Sequence, residues 1–132
     1  MTESNSELVR DAFERWNRRE HGLVLQQIDP DVEIHVVSAQ LLGGGPFRGH
    51  DGYREWTAAM EESFEVWQIH PEVFREHGDK VVVLGHMHLR GRGSGIELDQ
   101  QTGWLVDIRD GKMTRFQSFL SHEEALAAGG IS

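Results

Sequence analysis

Two histidines stand two positions apart within the apolar run KVVVLGHMHLR, which covers residues 80–90. On a β-strand this spacing places His86 and His88 on one face of the sheet. A neutral imidazole is a good general acid or base near neutral pH. A sheet that carries imidazoles on one face therefore indicates a lined pocket in which protons could be transferred.

The same pair of histidines suggests a second chemistry, metal binding. The Cβ atoms of two residues on one strand face are about 6.5–7 Å apart, within reach of a shared ion. His35 on an earlier strand is a candidate third ligand. No carboxylate is clearly placed on the same face, although zinc sites often need one or a further His. We therefore predict no metal and no other cofactor.

Composition narrows the class of protein and its partners. The chain has 132 residues, a formal charge of −9 and no Cys. The length fits one domain over residues 1–132. Nucleic acid and anionic membrane surfaces need clustered Lys and Arg, so neither is an expected partner. The polar, acidic N-terminal segment lacks a signal-peptide pattern, and no apolar run approaches the length of a membrane span. We expect a cytoplasmic protein.

Hydrophobic periodicity predicts helices that are segregated from strands. Helices are predicted over 4–19, 23–28, 51–64 and 121–127, and strands over 32–37, 66–75, 80–91, 95–109 and 113–120. Ser4 opens the first helix in a capping-box pattern with Glu7. Ser121 opens the last helix in the same pattern with Glu124. Three helices ahead of a meandering antiparallel sheet predict an α+β fold.

A glycine-rich stretch, Gly43-Gly44-Gly45-Pro46, separates the first predicted strand from the third helix. No Gly-Lys-Ser/Thr follows it and the dinucleotide spacing of glycines is absent, so we interpret it as a flexible connection. It is the natural candidate for a lid over a pocket.

Several segments resemble the SnoaL-like group of the nuclear transport factor 2-like superfamily, which includes polyketide cyclases, ketosteroid isomerase and scytalone dehydratase. They are the Phe47-Arg48-Gly49 turn and the runs RGRGSGIEL, RDGKMTRF and EEAL. The resemblance implies a cone: a curved antiparallel sheet, three helices from the N-terminal half closing a pocket, and a short C-terminal helix. The fold hosts many chemistries, so the reaction must be argued from the site.

The resemblance also implies roles for residues. His35 falls where ketosteroid isomerase carries its proton-shuttling Asp. Ala12 and Trp104 fall where that enzyme carries its two oxyanion donors, which argues against ketosteroid isomerisation. His35, with His86 and His88 in support, is the predicted catalytic set. The implied pocket walls are Trp16, Tyr53, Trp56, Met60, Arg90, Trp104, Val106, Phe116 and Ser118. Arg90 could anchor a substrate carboxylate or pair with Glu97.

The same strand parity turns Val81, Val83, Met87 and Leu89 away from the pocket. That apolar outer face needs a cover, and we expect a homodimer packed sheet to sheet. The remaining histidines, at positions 21, 50, 70, 77 and 122, lie in loops or at element ends and are expected to face solvent.

Three functions remain open. The leading one is a cofactor-independent enzyme that performs acid–base chemistry on a small hydrophobic cyclic compound, as an isomerase, cyclase, dehydratase or hydrolase. The second is a non-catalytic binder of such a molecule on the same fold. The third is a dimerisation module with a filled core, which the buried Trp and His residues disfavour because a dry core has no need of so many polar atoms.

Overall fold

The computed structural model describes residues 4–36 and 46–131. These residues form four helices and six strands, close to the predicted order. The helices are α1 (Asn5–Asn17), α2 (His21–Gln26), α3 (Gly49–Ser63) and α4 (His122–Ala128). The strands are β1 (Ile28–His35), β2 (Phe47–Arg48), β3 (Phe64–His77), β4 (Lys80–Gly91), β5 (Glu97–Arg109) and β6 (Lys112–Phe119). The lid predicted at 43–46 lies outside the described residues except for Pro46.

Two helices place one apolar stripe each against the sheet. Both stripes recur at helical spacing, which is why these segments are stable only when packed. On α1 the buried residues are Leu8, Val9, Ala12, Phe13 and Trp16, and on α3 they are Gly52, Tyr53, Trp56, Thr57 and Met60. Caps fix where the helices begin, since the hydroxyl of Ser4 accepts from the Glu7 amide and that of Ser121 from the Glu124 amide.

The six strands form one curved, unclosed sheet in the order β2-β1-β6-β5-β4-β3. Strands β3 to β6 are an antiparallel meander, as the sequence predicts. Strand β1 lies parallel to β6, with Ile34 beside Phe116, and this pairing was not predicted. The α+β cone is confirmed, and its sheet is mixed because β1 arrives from the helical half of the chain.

A bulge bends the sheet where β3 meets β4. The register shifts between Pro71 and Val73, which lie opposite Gly85 and Leu84. A Cβ built on Gly85 would lie 2.1 Å from the His70 carbonyl oxygen. Only glycine allows this close approach of the two backbones, so Gly85 is a requirement of the curvature.

Strand β4 is buried on both faces along its first half. Val81 and Val83, with Met87 and Leu89, face the main core, whereas Val82 packs with residues beneath α4. The predicted parity of β4 is therefore wrong: the apolar set assigned to the outside faces inward. The outer face of β4 is not the apolar surface from which a sheet-to-sheet dimer was predicted. Helix α4 covers Val82, and the later residues of that face include the polar His86 and His88.

No helix in the described parts of the chain is long and apolar enough to cross a membrane.

Candidate functional site

Three tryptophans form an aromatic cluster between α1, α3 and the inner face of the sheet. The rings of Trp16 and Trp56 stack with centroids 6.0 Å apart, and the ring of Trp67 meets Trp16 edge-on at 4.1 Å. Trp56 also meets Trp67 at 5.3 Å. Offset and edge-to-face contacts of this kind add to the free energy gained by burial. The cluster thus forms a closely packed aromatic surface between the two helices and the sheet.

A cavity that is open to solvent lies against this cluster. Its wall is nearly all apolar, as expected of a site for a small organic molecule. The lining residues are Ala12, Phe13, Trp16, Val24, Ile28, Val32, Ile34, Tyr53, Trp56, Ile69, Met113 and Phe116. Tyr53 is the one hydroxyl-bearing residue among them, and its side chain is almost wholly buried.

A smaller space adjoins the first along the sheet. Its walls include Met87, Trp104 and Ser118, and it shares Trp56 and Phe116 with the larger cavity. The two spaces together extend along the inner face toward Met87 of β4.

The Tyr53 hydroxyl is held by a histidine and a carboxylate. It lies 2.8 Å from Nδ1 of His21, and Nε2 of the same imidazole lies 3.1 Å from Oε1 of Glu61. Burial raises the pKa of Tyr53 well above that of free tyrosine, an effect that the charge of Glu61 reinforces and the charge of Arg19 opposes. Tyr53 therefore stays a neutral phenol at physiological pH.

Arg19 contacts Glu61 and so joins the network of Tyr53, His21 and Glu61. Its guanidinium donates to the carbonyl oxygens of Trp16 and Trp67, lies over both indole rings, and is 3.6 Å from the Glu61 carboxylate. Burial lowers the pKa of Arg19, and the Glu61 charge partly offsets this. Its φ of +60° is a left-handed conformation that costs a non-glycine residue free energy. The guanidinium contacts hold this backbone in place.

Three buried indole N–H groups have no hydrogen-bond partner among the described residues: those of Trp16, Trp56 and Trp67. An unsatisfied buried donor costs roughly 1–3 kcal/mol. All three belong to the aromatic cluster, so this part of the core is rich in unused hydrogen-bond donors. Such concentrations are uncommon in a purely structural core.

The structure brings together most of the predicted wall and leaves out part of it. Trp16, Tyr53, Trp56 and Phe116 line the larger cavity, and Trp104 and Ser118 line the smaller one. Two further predicted wall residues, Met60 and Val106, are fully buried in the adjoining core and line neither space.

Arg90 lies on the outer face and not at the cavity mouth. Its Nε is 2.8 Å from Oε1 of Glu97, and Glu65 lies 3.6 Å away. The hydrogen bond from Arg90 lowers the pKa of Glu97. The pairing alternative is therefore the correct one, because β4 parity turns Arg90 away from the core.

The predicted base, His35, is also on the outer face. Ile34 beside it is buried, whereas the His35 side chain is 28 % exposed and its Nε2 lies 3.5 Å from Glu33. His35 lines neither cavity. The expectation that it converges with the tryptophans is wrong, because Val32 and Ile34 occupy the inward positions of β1. Its catalytic role stays a prediction.

His86 and His88 share a face, as predicted, but it is the outer one. Nδ1 of His86 lies 2.6 Å from Oδ1 of Asp99, and its ring stacks on His70 with centroids 4.8 Å apart. His88 pairs in register with Asp99. Among the described residues no group of three or more His, Cys, Asp or Glu is arranged to hold a metal ion. Their expected place in the pocket is wrong, and a chemical role for them stays a prediction.

Sequence reasoning missed His21, which it placed in solvent. Two other histidines expected to face solvent are also engaged: Nε2 of His50 bonds the Ile28 carbonyl and that of His122 the Gly85 carbonyl. His70 and His77 are exposed, as expected. The available signal for His21 was indirect. A tyrosine on the buried face of a helix needs a hydrogen-bond partner, and a histidine is a common one.

Comparison with known proteins agrees with this architecture. A family model described as the SnoaL-like domain matches residues 9–116. The chain therefore belongs to the SnoaL-like family. A comparison with curated proteins gives no sequence match.

Solved structures show the same fold at low sequence identity. An NTF2-like protein of unknown function from Burkholderia pseudomallei has a TM-score of 0.82 at 23% identity, covering 96% of this chain and 97% of its own. TerC co-crystallised with polyporic acid has a TM-score of 0.78 at 25% identity, covering 89% and 92%. A candidate polyketide cyclase from Xanthomonas campestris has a TM-score of 0.74 at 22% identity, covering 91% and 92%.

Proposed function

We propose that the protein is a cofactor-independent enzyme of the cyclase or isomerase type. It takes a small hydrophobic ring compound into the cavity between α1, α3 and the sheet, and acts on it by acid–base chemistry at Tyr53. One observation carries the proposal: the otherwise apolar wall contains a single hydroxyl-bearing residue, and that hydroxyl is bonded to a His–Glu pair.

The cavity supports the substrate class. The wall surface that faces the cavity is nearly all apolar, so an apolar ring is the occupant that loses least on leaving water. The stacked tryptophans suit a flat ring. TerC, which has this fold, was crystallised with polyporic acid, and the similarity favours an organic ligand here as well.

The network supports the reaction class. Proton transfer by a positioned side chain requires that group to lie within hydrogen-bond reach of the reacting atom. Tyr53 lies in the cavity wall, and His21 and Glu61 fix its orientation from behind. The apolar walls exclude water, which strengthens each polar contact that the substrate does make.

The test is hydrogen–deuterium exchange next to a carbonyl. A panel of cyclic ketones, beginning with 2-tetralone, is incubated in D₂O with wild type, Tyr53→Phe and the control His70→Ala, and ¹H NMR follows loss of the α-proton signal. We expect exchange above the buffer rate in wild type and in the control. The Tyr53→Phe variant should lose about a hundredfold or more of the acceleration, the usual contribution of one acid–base group.

The second candidate is a non-catalytic binding protein, and the nearly complete apolar character of the wall favours it. The same samples separate the two functions. If the panel compounds shift the intrinsic fluorescence of the Trp cluster in a saturable manner, and none exchanges faster than in buffer, the binding function stands and the enzyme proposal falls.

A further inference from the structure

We propose that Glu61 and His21 make Tyr53 a proton acceptor, so that the substrate gives up a proton to the cavity wall from a hydroxyl or an acidic C–H. The inference rests on the proposed function for the location of the substrate. It adds the direction in which the proton moves and the class of group that supplies it.

The hydrogen-bond donors and acceptors of Glu61, His21 and Tyr53 set the direction of proton transfer. A carboxylate only accepts, so the 3.1 Å contact with Glu61 requires the hydrogen of His21 to be on Nε2. In the neutral imidazole Nδ1 is then a bare acceptor, and the 2.8 Å contact requires the Tyr53 hydroxyl to donate to it. A phenol has one hydrogen. Having donated it to His21, Tyr53 can only accept from a molecule in the cavity.

A proton can therefore leave the substrate through two linked transfers. The bond between the substrate atom and its hydrogen breaks as that hydrogen joins the Tyr53 oxygen, and the electron pair stays on the substrate. The original Tyr53 hydrogen moves to Nδ1 of His21, which becomes an imidazolium beside Glu61. Tyr53 is neutral before and after the transfer, so the burial that disfavours its phenolate does not oppose the step.

The charged groups around His21 keep the Glu61 carboxylate directed at its Nε2 atom. Glu61 lies on α3 and faces His21 directly, while Arg19 precedes α2 and lies 3.6 Å from the same carboxylate oxygen. Glu20, the residue before His21, pairs with Arg18 at 3.5 Å. Because Arg19 is fixed by backbone carbonyls, Glu61 stays aimed at Nε2.

In this scheme Tyr53 contacts the substrate, and His21 and Glu61 are positioning residues that act through it. A purely structural role for His21 would leave the tautomer unspecified. Two measurements therefore address the relay, one of which needs no ligand.

The first measurement is the tautomer of His21 by long-range ¹H–¹⁵N NMR at pH 8. The chain has eight histidines, and the signal lost in His21→Phe assigns the one in question. We expect the hydrogen on Nε2, and a mixture of tautomers in Glu61→Gln. A hydrogen on Nδ1 in wild type overturns the proposal, because Tyr53 would then be free to donate into the cavity.

The second measurement compares two uncharged ligands of matched shape, 2-naphthol and 2-tetralone, by Trp fluorescence titration at pH 8. Naphthol offers a hydroxyl and tetralone only a carbonyl. At pH 8 Tyr53 accepts, so naphthol should bind about tenfold more tightly, the worth of one well-made hydrogen bond. In Tyr53→Phe, which keeps the ring and loses the hydroxyl, the preference should disappear.

The variants make this result specific. His21→Phe keeps a ring against Tyr53 but removes both nitrogens and so frees the Tyr53 hydrogen. Its preference for naphthol should be lost, whereas His70→Ala should behave as wild type. Equal binding of the two ligands by wild type, or an undiminished preference for naphthol in His21→Phe, overturns the relay. If neither ligand binds, the NMR tautomer decides alone.

The two proposals can fail separately. Exchange of a cyclic ketone that is abolished in Tyr53→Phe, together with the wrong His21 tautomer, would leave the enzyme proposal standing without this relay. The expected tautomer with no exchange for any ketone would leave the relay geometry standing in a binding protein.

Discussion

The two faces of β4 carry different kinds of residue in different surroundings. Its inner face meets the tryptophan cluster and the cavities through Met87, whereas its outer face carries His86 and His88 beside Asp99. His86 and His88, which the sequence pattern singles out, are partly exposed to water. The histidine that could transfer a proton, His21, stands in a short helix with no motif around it. Position relative to the aromatic cluster, and not spacing along a strand, decides which imidazole is useful.

The largest expected difference between the two faces is in stability. Replacing Trp56 by Ala removes a buried ring that touches four aromatic neighbours, Trp16, Tyr53, Trp67 and Phe116. We expect a loss of about 3–5 kcal/mol in the free energy of unfolding. His86→Ala on the outer face should cost no more than about 0.5 kcal/mol. Denaturant titrations of both variants check this, and similar losses would mean that the faces do not differ.

A second prediction concerns the cover of the outer face. A Cβ on Gly103 would lie 2.4 Å from the Cβ of Ala125, so Gly103→Ala should push α4 off the sheet. Overpacking of this kind costs about 1–3 kcal/mol. Gly22→Ala is the matched control, because an added Cβ meets nothing within 4 Å there, and helix propensity should make it neutral or stabilising. Thermal unfolding of the pair is the measurement, and equal midpoints would be evidence against close packing of α4.

A third prediction uses the single tyrosine of the chain, Tyr53. Because burial raises its pKa, the absorbance of the phenolate should develop at higher pH in the folded protein than in free tyrosine. The folded state holds the proton more tightly than the unfolded state, so stability should fall as the pH rises above about 10, the pKa of an unfolded tyrosine. Tyr53→Phe should lack this alkaline decline. A phenolate that titrates like free tyrosine would place the hydroxyl in water.

The smallest expected effect tests the outer-face histidines as chemical groups. The family resemblance expects His35→Ala to abolish turnover, whereas the geometry expects ketone exchange within about twofold of wild type, because the side chain lines neither cavity. Initial rates measured with the same ketone panel decide between them. A loss comparable with that of Tyr53→Phe would return His35 to the site.

Local signals were enough to predict the four helices and five of the six strands in the described residues, whereas the two-residue strand β2 was predicted as a turn. The serine caps at positions 4 and 121 and the periodicity of α1 and α3 depend on neighbours a few residues away, and the structure reproduces them. The face of β4 could not be obtained in this way. Val81, Val82 and Val83 are all fully buried, so no alternation marks an inside, and only the distant α4 explains why Val82 is covered.

The sequence could predict residues of the cavity wall, but it could not predict the polar group that His21 and Glu61 form with Tyr53. Aromatic residues that recur along one face of a helix indicate that the face is buried. Trp16, Tyr53 and Trp56 were predicted to line a pocket, and they line the larger cavity. His21 meets Tyr53 across 32 positions and Glu61 across 40. Contacts of that kind depend on the crossing of two helices, which single-sequence periodicity does not specify.

The parallel pairing of β1 with β6 has a consequence for the order of folding. The meander β3–β6 closes by short hairpins, whereas β1 must find β6 from the other end of the chain, and such distant pairings form late. The walls that α1 and β1 give to the cavity are then completed after the main folding barrier. A molecule that binds the finished cavity should therefore slow unfolding and leave the refolding rate unchanged.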